Sequence, residues 1–284
     1  MIKADTSQDG PISLAEVRCW GLAVAGCAYW GNVIRTGWNP DAPLLLQIME
    51  SITGNGAFGV GAWILIAVLA LKSVPSGPAP GGMFLATIAT SLPAILPSEQ
   101  TAMLSLFALG GLWLRSAGIQ ADRAIALLLF ALAGTIFWTS SYLLPLHAAV
   151  GLFDARVVQA LLQLHGVAAG GYANIVANES GHESLEILAQ CASSFPLSDV
   201  CLAFIVTILF LGRFPCRRDR GWLIASLLAS IVLTEVRLLW MALSQSNYLW
   251  VHDGGGRVLY SLAAVILATL FPFLAARVGR LSHD

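Results

Sequence analysis

Charge is scarce in this chain of 284 residues, and that scarcity argues against an ordinary soluble domain. Only 11% of residues are charged, where a soluble domain carries roughly 25%. The formal net charge of -1 leaves no basic face to neutralise phosphates, so nucleic acid is not an expected partner. Cysteine is sparse too. The five cysteines (Cys19, Cys27, Cys191, Cys201, Cys216) form an odd set without a CxxC pair. That argues against a disulfide framework or a zinc site, and no cofactor or metal is expected. Cys19, Cys27 and Cys201 lie inside apolar runs and read as buried small hydrophobes. No Ala-x-Ala-like cleavage site follows the polar start Met1–Gly10, so the first apolar run reads as a retained span. No internal repeat or low-complexity tract is visible. Lys72–Gly82 reads as a Pro/Gly-rich inner loop, not a domain linker.

What the chain has in abundance is apolar surface: 57% of residues are hydrophobic and the mean hydropathy is +0.76. A helix needs about 20 residues to cross a hydrocarbon core. Windows of that kind lie at about 18–36, 56–73, 123–146, 197–213, 221–246 and 257–276. Two shorter runs, about 83–97 and 101–115, flank the polar turn Pro97–Gln100 and return the chain to its starting side. The expected fold class is an all-α polytopic membrane protein of about eight transmembrane helices. It is read as one membrane domain over 1–284, with N-terminal spans at 18–146, an extracytoplasmic segment at 147–190 and catalytic spans at 191–276.

Lys and Arg set the direction. With the N-terminus inside, Lys3, Arg18, Lys72, Arg115, Arg123, Arg213, Arg217, Arg218, Arg220, Arg277 and Arg280 fall on the inner side. Arg35, Arg156, Arg237 and Arg257 fall outside or within the membrane, so the count is eleven against four. Both termini are then cytoplasmic.

Residues 147–190 break the pattern with Asp154, Arg156, His165, Glu179, Glu183 and Glu186. Asp154–Leu164 places Val157, Val158, Leu161 and Leu162 at helical spacing, which suits a short amphipathic helix on the outer surface. Gly166–Val176 and Leu185–Ala189 bracket the turn-rich stretch Ala177–Glu183 and suggest a β-hairpin leading to Cys191.

This topology brings Cys191, Arg237 and His252 to one face of the membrane. Cys191 precedes a helix expected to start near Pro196, with Asp199 in its first turn, and a helix N-terminus favours a thiolate. Taken alone, it reads more readily as a small buried residue at an interface. Arg237 lies in an otherwise apolar helix, roughly 24 Å from its inner end. An arginine there costs about 2.5–3.5 kcal/mol on insertion scales, so it points to function or to a partner. The obvious partner is Glu235, which projects elsewhere on the helix. His252 stands in the loop Asn247–Gly256, followed by Asp253 and three glycines that allow close backbone approach. A thiolate to attack a carbonyl, a guanidinium to hold the oxyanion and an imidazole to move the proton make a coherent set. Ser193 and Ser194 hydrogen-bond near the thiol or cap the following helix. His147 and His165 read as interfacial.

From about Leu146 to Phe271 the chain resembles the exosortase/archaeosortase group of membrane transpeptidases. The resemblance rests on Leu185–Cys191, the basic inner loop, Thr234-Glu235-Val236-Arg237 and His252-Asp253-Gly254-Gly255-Gly256, in that order. It implies that Cys191 is the nucleophile, Arg237 the oxyanion or substrate stabiliser and His252 the general acid/base. Thr234, Ser193 and Asp253 are expected in support. Two departures mark a divergent branch. Cys191-Ala192-Ser193 stands where the group has Cys-Ser/Thr-Gly, and Thr234 stands where it has Asn. The implied partners are the C-terminal sorting tails of exported proteins, membrane lipid and an unknown acceptor. The implied place is a bacterial inner membrane, with the site on the periplasmic face. The competing readings are a multi-span transporter with Arg237 as a solute-binding residue, or a non-catalytic membrane scaffold.

Overall fold

In a computed structural model of the chain, residues 14–37, 57–72, 87, 98–115, 117–178, 184–252 and 254–281 are described. The run expected at 83–97 lies almost wholly outside them. So do the loop 73–82, residues 179–183 and Asp253.

The long apolar runs become helices because an intrahelical ladder pairs each backbone polar group without help from water. They are α1 (Leu14–Gly37), α2 (Ala57–Lys72), α3 (Glu99–Arg115), α4 (Gln120–Thr139), α5 (Leu144–Leu164), α6 (Leu197–Phe210), α7 (Asp219–Leu243), α8 (Gln245–His252) and α9 (Gly255–Leu281). Three stretches, Gln120–Thr139, Asp219–Leu243 and Gly255–Val278, are long and apolar enough to cross a membrane. The polar turn before α3 is its cap: the Thr101 backbone N–H donates to Ser98 Oγ at 3.2 Å.

The described residues form two compact units. The first holds α1, Trp63–Lys72 of α2, α3 and Gln120–Ala133 of α4; the second takes Ala57–Ala62 and everything from Gly134 onward. In the first unit Arg18, one of the inner cations in the charge count, is buried instead of solvated. Its Nη1 donates to Asp122 Oδ1 at 3.2 Å, and its guanidinium lies 4.5 Å from the centre of the Trp113 ring. Cys19 and Cys27 are exposed on α1, not buried as expected. In a chain with so much apolar surface, outward-facing small residues need no polar neighbour.

In the second unit the span expected to run to residue 146 ends at Thr139. The hydroxyls of Thr139 and Ser140 turn back onto the carbonyls of Thr135 and Phe137, at 2.9 and 2.6 Å, and a single 3-10 turn follows at Ser141–Leu143. Pro145 then sits in the first turn of α5. The expected amphipathic helix Asp154–Leu164 is thus the second half of a 21-residue helix. Its buried stripe includes two polar residues: His147, Gly151, Asp154, Ala155, Val158 and Leu162.

The expected hairpin is a three-stranded antiparallel sheet. Strands β1 (Ala169–Tyr172), β2 (Ile175–Asn178) and β3 (Ser184–Glu186) pair in sequence order. The first turn falls at Ala173–Asn174, earlier than Ala177–Glu183, and Ala173 takes the left-handed φ of 56° that a tight hairpin turn requires. Asn174 also grips the chain beyond β3. Its carbonyl accepts from Ile187 N at 2.8 Å, and its Nδ2 donates to Ile187 O at 3.1 Å. The sheet thereby fixes where the cysteine loop begins.

Candidate active site

The loop from Ile187 to Pro196 lies along one stripe of α5, and each contact follows from helical spacing. At its start, Gly151 lets the backbone come close: a Cβ there would stand 3.4 Å from the Ile187 carbonyl and 3.9 Å from Ala192 Cβ. One turn further along, Asp154 is completely buried and accepts two hydrogen bonds from one residue. Ser193 N donates to Oδ2 at 2.7 Å and Ser193 Oγ to Oδ1 at 2.9 Å. At the other end His147, also completely buried, lies 2.8 Å through Nδ1 from Ser194 Oγ and 2.8 Å through Nε2 from the Trp138 carbonyl. A carbonyl only accepts, so Nε2 carries a proton. Trp138 Nε1 donates to Ser194 O at 2.8 Å, and the rings of Trp138 and Phe195 flank the imidazole. His147 is therefore a buried clamp, not an interfacial residue. Ser193 and Ser194 hold the loop to α5 and do not cap α6, which begins after Pro196 without a side-chain cap.

Cys191 ends a short 3-10 turn, Ala189–Cys191, and is a free, half-buried thiol. It stands ahead of α6, which begins at Leu197. The amides around it are already engaged. Cys191 N donates to Leu188 O at 2.8 Å, Ala192 N to Ala189 O at 3.4 Å and Ser193 N to Asp154.

Arg237 lies on α7. Its guanidinium lies 4.6 Å from the centre of the Tyr260 ring on α9. Its Nε is buried without a hydrogen-bond partner, and neither salt bridge among the described residues involves it. Thr234, one turn earlier on α7, donates through Oγ1 to Ser230 O at 3.0 Å and meets the Tyr260 hydroxyl at 3.1 Å. Thr234 thus supports Arg237 through Tyr260. Glu235 does not pair with Arg237; its carboxyl faces Asp154 on α5.

His252 is the last residue of the short helix α8 rather than a loop residue, and its ring stacks on Tyr248 with centroids 5.1 Å apart. The following glycines serve packing against Trp250: a Cβ on Gly256 would come within 2.6 Å of that ring, and one on Gly254 within 2.8 Å of the Trp250 carbonyl.

One apolar cluster joins the three neighbourhoods. Ile187 before the thiol, Leu238 and Met241 beside Arg237, and Val251 beside His252 are buried together, with Cys191 and Tyr248 packed against them. The structure thus gathers the segments carrying Cys191, Arg237 and His252. No hydrogen bond among the described residues joins the Cys191 sulfur to either partner.

Tyr260, Asp154, Glu235 and His147 were missed as members of this neighbourhood. The spacing of His147, Gly151 and Asp154 was a legible signal, three residues on one helical stripe. The Tyr260 contact had no local signal, because it joins separate helices.

No protein-family model, curated protein or solved structure matches the chain.

Proposed function

We propose that the chain is a multi-pass membrane cysteine peptidase or transpeptidase, similar to the exosortase group, that cleaves C-terminal tails of exported proteins. The observation that carries this reading is the single apolar cluster against which Cys191 packs and to which the neighbours of Arg237 and His252 contribute. The three helices long enough to span a bilayer support the membrane setting. In the proposed topology about eight spans leave both termini in the cytoplasm, and the thiol faces the other side.

The chemistry follows from the groups present. The Cys191 thiol passes its proton to His252, and the sulfur attacks the scissile carbonyl to form a C–S bond. The carbonyl pair moves onto oxygen, where Arg237 balances the charge in place of the engaged backbone amides. Collapse breaks the C–N bond, His252 returns the proton to the leaving amine, and a thioester remains. An acceptor nucleophile, or water, then releases the acyl group and restores the thiol.

Co-expression with a tagged substrate bearing a hydrophobic, basic-ended tail tests the reading. Wild type should shorten the tail and Cys191→Ala should leave it full length. Equal processing by both excludes Cys191 as nucleophile. A transporter or scaffold predicts that Cys191→Ala is silent.

A further inference from the structure

We infer that Asp154 is a positioning residue, whose carboxylate fixes the loop presenting the Cys191 thiol against the helix that carries Arg237. The inference rests on the proposed thiol chemistry but not on the identity of the substrate.

Three observations meet at this side chain. Asp154 is fully buried, so its two oxygens need donors to offset desolvation. Ser193, two residues beyond the thiol, donates to both of them, at 2.7 and 2.9 Å. Two bonds from one residue to the two oxygens of one carboxylate set orientation as well as distance, which a single bond would not. The same side chain faces Glu235, two residues before Arg237. Asp154 therefore stands between the loop of the nucleophile and the helix of the guanidinium.

Attack on a carbonyl requires the sulfur about 3–3.5 Å from the carbon, and a misplacement of about 1 Å costs roughly a hundredfold in rate. The loop contributes little rigidity of its own: a 3-10 turn and an extended residue at Ala192 precede Ser193. Ala192 is completely buried and Gly151 admits the backbone beside it, so the loop is pressed on α5 at this point and oriented there by Asp154.

The test uses the full chain with Cys19, Cys27, Cys201 and Cys216 replaced by alanine, so that Cys191 is the one thiol. Into it go Ser193→Ala, Ser193→Thr and Asp154→Asn. Two readouts are taken: the rate of Cys191 alkylation by iodoacetamide over a pH series, and kcat and KM for cleavage of a tagged tail. Ser193→Ala is expected to lower kcat about tenfold or more with KM within about twofold, and to change the alkylation profile. Ser193→Thr, which keeps both donors, should restore both readouts, and Asp154→Asn should behave like Ser193→Ala. Parent-like alkylation and kcat in Ser193→Ala, or a Ser193→Thr variant no better than Ser193→Ala, overturns the inference. Should Asp154→Asn fail to fold, the Ser193 pair still decides. If the parent cleaves no tail yet the alkylation profiles separate as expected, the functional reading fails while the positioning role stands.

Discussion

The hydroxyls of Thr234 and Tyr260 meet at 3.1 Å between two helices, and that bond aims the ring over which Arg237 lies. Thr234 has one hydroxyl proton and gives it to the Ser230 carbonyl, so Tyr260 is the donor. Tyr260→Phe keeps the ring and loses the bond. A loss of about fivefold in tail cleavage is expected, matching about 1 kcal/mol for one hydrogen bond. Tyr260→Leu also removes the cation–π contact and should cost several-fold more. Equal rates in both variants would show that the ring does not support Arg237.

Arg237→Lys replaces a planar fork with a point charge. Where the guanidinium holds an oxyanion, about a hundredfold loss of turnover is expected in the substrate assay. Near-wild-type turnover would make Arg237 a structural residue.

Orientation is open to labelling. Cys216 is exposed beside the basic turn, and Cys191 is half-buried in its loop. An impermeant maleimide should label Cys216 only after permeabilisation, and any labelling of Cys191 should occur in intact cells. The reverse pattern would reject the proposed topology.

Glu235 separates two roles. Its carboxyl lies beside Asp154, and a glutamine keeps that side chain's size while its amide carries N–H donors. Glu235→Gln should therefore keep activity close to wild type, whereas Glu235→Ala should reduce it. Assaying the two variants side by side checks this, and equal loss in both would point to a need for the carboxyl itself.

At the far end of α7, Arg213 Nη2 donates to both oxygens of Asp219, at 3.0 and 3.2 Å, while Nη1 donates to Ala275 O at 3.0 Å. Arg213→Ala leaves the buried Asp219 with only the Cys216 N–H as donor among the described residues. The expected cost is about 1–3 kcal/mol, read as a lower thermal midpoint in detergent without a change in Cys191 alkylation. An unchanged midpoint would show that this turn does not limit stability.

Much of the helical framework was legible because its signal is local. Apolar runs of sufficient length announce α2, α7 and α9. The end of α4 was misread because hydropathy continues through Leu143-Leu144, while hydroxyls at Thr139 and Ser140 redirect the backbone. Asp154 was read as an interruption and His147 as interfacial because hydropathy scores a buried polar residue as an exposed one. The serines of a distant loop, with the Trp138 carbonyl for His147, turn them into packed residues.

The sequence by itself determined that this chain is predominantly helical and which residues have the chemistry of a thiol site, since residue type and periodicity are local properties. The tertiary structure alone decided that Asp154 holds the loop carrying Cys191, that Tyr260 underlies Arg237 and that one apolar cluster unites the three segments. Those relationships depend on where helices far apart in sequence come to lie, and packing sets that, not the order of residues along any one of them.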